Sequence, residues 1–183
     1  MNEAQSILPP ACLSSEQRLF VDEYTQVFFG DGLASDTEQA HIDLHAFTEV
    51  DGQLVSHAAA SRLRLTVDST AIPTCSIGTV FTIPEMQGYG LASRLMERFQ
   101  AHIHEAYQPE LLLLFCQPPL CSFYEQLGWS TLDAPVLLQQ ADKWIPWSHS
   151  VMHLRAPTDL LSARDLRVHS STPNDQGYGA EFP

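Results

Sequence analysis

Six consecutive residues, Gln87-Gly88-Tyr89-Gly90-Leu91-Ala92, concentrate the features that let a main chain hold an anion. Glycine adopts left-handed backbone angles and allows a ligand close to the peptide groups. The apolar run Val80-Phe81-Thr82-Ile83 before them has strand composition and must stop at Pro84, which cannot donate to a ladder. After them Leu91, Leu95, Phe99 and Ile103, with Met96 alongside, recur at helical spacing and predict a helix from near Gly90 to about Glu105. A helix start leaves several N–H groups without partners and carries roughly half a unit of positive charge. The chemistry this implies is capture of a phosphate by amides from Gln87 to Ala92, with Gly88 and Gly90 permitting the approach and small Ala92 letting the helix pack close. On glycine spacing alone, a tight strand-to-helix turn without a ligand is the favoured reading.

Other reactive residue types point nowhere so definite. The cysteines at 12, 75, 116 and 121 form no Cys-x-x-Cys pair and no framework, so reduced thiols and no structural disulfide are expected. The histidine pairs His41/His45 and His149/His153 lack the glutamate of a zinc-protease helix, and no metal site is expected. Nine basic against 22 acidic residues give a net charge of −13, which argues against a nucleic-acid backbone as partner and suits a cationic one, or simply an acidic surface. The longest apolar run, Leu111 to Cys116, is too short to span a bilayer, and Met1-Asn2-Glu3 lacks a basic secretory start; a soluble, cytoplasmic protein is expected.

The elements that must position the turn can be read in order. Ser14 and Gln17 have capping-box spacing before the stripe Phe20, Tyr24, Val27, Phe28, and Gly30-Asp31-Gly32 ends that helix. Leu33 to Ala40 reads as an acidic loop or short helix, with Asp36 and Glu38 a candidate rim for a cation. His41 to Val50 and Leu54 to Leu65 read as strands about an Asp51-Gly52 hairpin turn. Asp68-Ser69-Thr70 with Pro73 predicts the next turn, and Ser76 to Ile83 a third antiparallel strand. Leu111 to Cys116 reads as a strand buried on both faces, Leu120 to Leu127 as a short helix before Gly128, and Val136 to Gln140 and His149 to Leu154 as strands about a loop, Lys143 to Trp147. Leu160, Leu161, Leu166 and Val168 suggest a short helix or docked strand, and Ser170 to Pro183 a tail. This order predicts an α/β sandwich about a mixed sheet.

Two motifs in sequence then resemble the GCN5-related N-acetyltransferase (GNAT) superfamily. Gln87-Gly88-Tyr89-Gly90-Leu91-Ala92 is similar to its Arg/Gln-x-x-Gly-x-Gly/Ala pyrophosphate signature. Phe123-Tyr124-Glu125-Gln126-Leu127-Gly128-Trp129 is similar to its aromatic-Tyr-x-x-x-Gly-aromatic signature on the following helix. The resemblance implies a mostly antiparallel central sheet with helices on both faces, over residues 1–156, with 157–183 an extension that is partly mobile or docked. It implies acetyl-coenzyme A as cosubstrate, its pyrophosphate on the glycine turn and its pantetheine on the backbone of Val80, Phe81 and Thr82. It also implies that Tyr124 is the general acid for the thiolate. A closer resemblance is to aminoglycoside 2′-N-acetyltransferases, through Leu54 to Ala60, Ala106-Tyr107-Gln108 and the second motif; where those enzymes have a glutamate before the turn, this chain has Gly78.

The expected reaction is direct attack of a primary amine of a small, cationic acceptor on the thioester, with no membrane partner and a homodimer left open. Glu49, His57, Glu85 or a water relay could take the proton, and Cys116 is expected to be structural rather than a covalent carrier. The alternatives are a non-catalytic acyl-coenzyme A-binding domain and a transferase for a longer acyl chain.

Overall fold

Each helix begins and ends where local chemistry dictates. In the computed structural model, which describes residues 2–30, 41–67, 69–140, 143–154 and 166–169, helix α1 spans Ser15–Phe29 behind a complete capping box. The Ser14 hydroxyl accepts the Gln17 amide at 3.1 Å and the Gln17 side chain accepts the Ser14 amide at 3.0 Å. Helix α2 spans Leu91–Tyr107 from a left-handed Gly90, and α3 spans Cys121–Glu125. The acidic segment Leu33 to Ala40, the pair Leu160 and Leu161 and the tail from Ser170 lie outside the described residues.

Strands β1 (Glu3–Leu8), β2 (Leu44–Val50), β3 (Gln53–Val67) and β4 (Thr70–Thr82) form an antiparallel meander. Positive φ angles at Asp51 (50°) and Gly52 (83°) make the expected hairpin turn between β2 and β3. The β3 to β4 turn differs from expectation. Pro73 does not break the chain but lies within β4 opposite Arg64, so β4 starts six residues earlier than the Ser76 predicted. Its carbonyl accepts the Glu110 amide at 3.0 Å.

Beyond α2, β5 (Leu111–Cys116) runs parallel to β4, and its edge away from β4 pairs with β9 (Ser150–Leu154), itself paired with β6 (Ser130–Thr131). The segment Lys143 to Trp147, expected as a loop, contributes β8 (Lys143–Pro146), which pairs with β7 (Val136–Gln140). Strand β10 (Leu166–His169) is inserted between β3 and β7, antiparallel to the first and parallel to the second. The long β3 thus shares one edge between β2, along its first half, and β10, along Arg64–Val67.

Alternation along the strands sorts the core. Leu44, Ala46, Ala58, Ala60, Cys75 and Ile77 face α2, whose Leu95, Met96, Phe99 and Ile103 are fully buried against them. Phe47, Val55 and Phe81 face the other way, toward Phe20 of α1. The sheet is mixed, mostly antiparallel and covered by helices on both faces.

Candidate active site

The β4–β5 pairing is short. Four parallel pairs run from Thr74↔Leu111 to Ile77↔Leu114, after which β4 continues to Thr82 without a β5 partner. The cause lies one residue further on. Ala59 pairs with Gly78 and His57 with Phe81, so Ala58 alone faces both Thr79 and Val80: a β-bulge. Thr79 sits at φ +47°, a costly conformation for a β-branched residue, and buries its hydroxyl without a protein hydrogen-bond partner. The bulge turns β4 away from β5 and opens a wedge between them.

Backbone alternation assigns what faces this wedge. The Ile83 amide donates to the Val55 carbonyl of β3 at 2.9 Å, so Phe81 also directs its peptide groups to β3, while Val80 and Thr82 direct theirs to the wedge side. Of the three backbone positions expected to line a pantetheine, Val80 and Thr82 are brought to the wedge and Phe81 is not. The Phe81 carbonyl accepts the Ser56 hydroxyl at 2.8 Å, and the Phe81 ring packs against Phe20, Tyr24, Phe28 and His57. The Thr82 carbonyl is itself occupied, by the Gln87 Nε2 donor at 3.0 Å.

The glycine turn follows a single 3-10 turn at Pro84–Met86. Gly88 (φ +81°) and Gly90 (φ +71°) are both left-handed, which explains their spacing. A Cβ at Gly88 would point into open space. Gly90 is the N-cap of α2 and offers no side-chain acceptor, and the first turn of α2 carries no acidic residue. Its leading amides are therefore free of intrahelical partners and uncompeted by a carboxylate. Gln87 departs from the expected donor set: its own amide donates to the Pro84 carbonyl at 3.3 Å, and its side chain ties the turn to Thr82. The exposed Tyr89 carbonyl accepts Nη1 of Arg94 at 3.1 Å, and the Leu91 side chain is buried in the core. Arg94, a cation beside the turn that motif spacing alone did not single out, also pairs with Glu3 of β1 at 2.6 Å.

Across the wedge, β5 ends at Cys116, and α3 brings Tyr124 against it. Tyr124 is 5% exposed, its ring edge-on to Phe123 and Trp129. Burial, assisted by nearby Cys116, raises its pKa above the usual phenol value, so it carries its proton throughout the neutral range. Cys116 lies 3.9 Å from the Cys121 sulfur, and burial pushes it up to about 12, which leaves a protonated, weakly nucleophilic thiol.

The candidate bases fare differently. Glu49 sits beside the β2–β3 hairpin turn, paired with Leu54 and Ala4, and Glu85 is exposed in the single turn ahead of the glycines. His57, a candidate base by residue type, is fully buried: its Nε2 lies 2.9 Å from His45 Nδ1 and its Nδ1 3.0 Å from the Thr79 carbonyl. Burial, reinforced by the His45 charge and opposed by the Thr79 hydrogen bond, lowers its pKa to about 3, so it does not take up a proton at neutral pH. The unfolded chain binds a proton here that the folded chain refuses. His57 should therefore steepen the loss of stability as pH falls from about 6.5 toward 3, by up to about 1.4 kcal/mol per pH unit. Denaturant titrations at stepped acid pH check this; a His57→Phe variant should give a shallower slope, and an equal slope would contradict it.

A groove of about 340 Å³ lined by Glu97, His104, Glu105, Pro109 and Leu154 lies along the second half of α2, away from the helix start and from Tyr124. Among the described residues no group of three or more His, Cys, Asp or Glu is arranged to hold a metal, and no helix is long and apolar enough to cross a membrane.

Comparison with known proteins agrees with this fold. The chain is 30% identical over 115 residues to the aminoglycoside 2′-N-acetyltransferase of Mycolicibacterium fortuitum, covering 63% of this chain and 58% of that protein, so it spans less than two thirds of that relative. Its fold is similar to that of Escherichia coli ElaA, with a TM-score of 0.62 at 16% identity over 84% of this chain and 99% of that one. It is also similar to the Escherichia coli GNAT family N-acetyltransferase YhbS, solved in complex with CoA, with a TM-score of 0.57 at 15% identity over 92% and 89% of the two chains. The profile of the acetyltransferase (GNAT) domain family matches residues 20–132, well over half of the 183, across the bulge, the glycine turn and Tyr124 alike. The chain belongs to the GNAT acetyltransferase family.

Proposed function

We propose that this protein is an N-acetyltransferase that moves an acetyl group from acetyl-coenzyme A to a primary amine of a small, cationic acceptor. The observation that carries this reading is the juxtaposition of the β4–β5 wedge with the uncapped α2 start on one side and the buried, protonated Tyr124 on the other. The turn fits a pyrophosphate: two left-handed glycines, open space at Gly88 and amides without partners are what a close-lying anion requires. Acetyl-coenzyme A would supply the acetyl group as a thioester.

The chain's own residues then have distinct tasks. Amides of Gly88 to Ala92 hold the phosphates, with Arg94 adding positive charge beside Tyr89. The wedge-facing peptide groups of Val80 and the N–H of Thr82 orient the donor, and the wedge shields the acyl group. Tyr124 gives its proton to the departing sulfur. The acceptor amine must lose a proton first, and an ammonium of pKa about 10.4 is neutral to only about one part in 2,500 at pH 7. With Glu49 beside the hairpin turn, Glu85 exposed ahead of the glycines and His57 held by hydrogen bonds at both ring nitrogens, a water relay is the route we favour. The acidic balance, 22 against 9, favours capture of a cation, and the aminoglycoside 2′-N-acetyltransferase relative makes aminoglycosides the first acceptors to try.

A non-catalytic acyl-coenzyme A-binding domain is the second reading. It is favoured by Gly78, which leaves the β4 position beside the bulge without a carboxylate. One experiment separates the two. Acetyl-coenzyme A at a hundredfold its Kd should stabilise the protein by about 2.7 kcal/mol in a thermal-shift assay. An amine panel that includes aminoglycosides should then release free thiol. No shift at millimolar coenzyme sinks both readings, and a shift with no turnover on any amine favours the binding domain.

A further inference from the structure

The bulge that opens the wedge is held by a chain of two imidazoles. His45 on β2 and His57 on β3 both point to the α1 face of the sheet and stack among Phe47 and Phe81. Hydrogen-bond logic fixes the state of each ring. The Thr79 carbonyl can only accept, so His57 Nδ1, 3.0 Å away, carries the hydrogen. A neutral imidazole has one N–H, so His57 Nε2 is an acceptor, and His45 Nδ1 at 2.9 Å must donate to it. The chain is directed, from His45 through His57 to the Thr79 carbonyl.

That carbonyl belongs to the same planar unit as the Val80 N–H. In a trans peptide the two point in opposite directions. Backbone alternation turns the Val80 N–H to the wedge side, where β4 has already parted from β5, and the Thr79 oxygen held by the His57 ring points away from it, which keeps it so directed. The peptide would not stay there unaided, because Thr79 is a β-branched residue at φ +47°. Fixed main-chain donors aimed at a developing oxyanion lower the barrier of acyl transfer because they need no reorganisation during the reaction.

We propose that His57, oriented by His45, is a positioning residue for acetyl transfer: it locks the Thr79–Val80 peptide so that the Val80 N–H points at the acyl carbonyl in the wedge. This rests on the acetyltransferase reading above. His57 touches neither donor nor acceptor and exchanges no proton with them; it acts through the peptide it holds.

The test compares His57→Phe, which keeps a flat ring and removes the donor, with His57→Asn, whose side-chain amide can replace Nδ1–H toward Thr79. Acetylation kinetics and calorimetric coenzyme binding are measured for both. His57→Phe should lower kcat by about a hundredfold with the coenzyme Kd within about threefold, and His57→Asn should recover most of the lost kcat. Wild-type kcat in His57→Phe, an equal fall in coenzyme affinity, or no recovery in His57→Asn would overturn the proposal. A reading that needs no variant to fold is nitrogen-15 NMR of the histidine-labelled wild-type protein at neutral pH. Both rings should be Nδ1–H tautomers, and a His57 protonated on Nε2 or doubly protonated would overturn the proposal. Absence of coenzyme binding and of transfer in the wild-type protein removes the acetyltransferase reading and this one with it. Normal wild-type turnover with an indifferent His57→Phe removes this one alone.

Discussion

Tyr124→Phe should lower kcat by about a hundredfold or more while leaving coenzyme affinity within about twofold. The substitution removes one oxygen from a ring packed between Phe123, Trp129 and the end of β5, so the aromatic contacts survive and the fold should too. In the proposed role what would be lost is the proton for the departing sulfur, and general-acid assistance of this kind contributes about 10²–10⁴ in rate. The sign of the pKa shift adds a second signature. Burial raises the phenol's pKa, so Tyr124 remains a proton donor through neutral and mildly alkaline pH, and any alkaline fall in kcat due to it should begin only above its ordinary value near 10. Steady-state kinetics from pH 6 to 10 on both proteins, with calorimetry for the coenzyme, reads both effects. Equal kcat in the two proteins would remove Tyr124 from the reaction.

Valine at either glycine of the turn should give the opposite split. Gly88→Val and Gly90→Val each force a β-branched residue to φ near +80° or +70°, at a cost of order 1–3 kcal/mol. That corresponds to about 5- to 150-fold in affinity if it is relieved by the turn moving. The two sites differ in what the new side chain meets. At Gly88 it enters the open space where a phosphate would lie, whereas at Gly90 its Cβ comes within 3.0 Å of Arg94 Nη1, held in place by Glu3. Coenzyme Kd should rise at least tenfold in both variants, with kcat at saturating coenzyme much less affected. Thermal melts without ligand separate this from general destabilisation. A Gly88→Val protein that binds coenzyme as tightly as the wild type would argue against the turn as the phosphate site.

Local patterns carried much of this. The capping box at Ser14 and Gln17, the Asp51-Gly52 turn, the α2 stripe and the left-handed glycines are all consequences of chemistry within a few residues, and each is where its spacing predicts. What escaped depends on distant partners. Pro73 is tolerated inside β4 because the β5 ladder starts only at the next residue, Thr74. The β7–β8 hairpin takes its place through β10, and β10 through β3, about a hundred residues earlier in the chain. At the site, Gln87 has the residue type of a phosphate donor, yet its hydrogen bonds close the turn. The His45–His57 chain was out of reach: counting back from the hairpin turn sets Phe47 against Ser56, and only the irregularity between Thr48 and Glu49 shifts the register by one to bring His57 there. An alternating polar residue reads as solvent-facing unless the second layer is known, and here α1 supplies it.

The threading of β10 has a consequence for how this molecule comes to be made. Among the described residues the β7–β8 hairpin joins the sheet only through a strand that leaves the ribosome after it. Until Leu166–His169 arrives, Arg64–Val67 and Val136–Leu138 present raw edges of apolar strand, the surfaces most prone to pair with another chain. The meander and α2 can assemble early from near neighbours, whereas this flank must wait, and the time between the two is when the nascent protein is most exposed to misassociation.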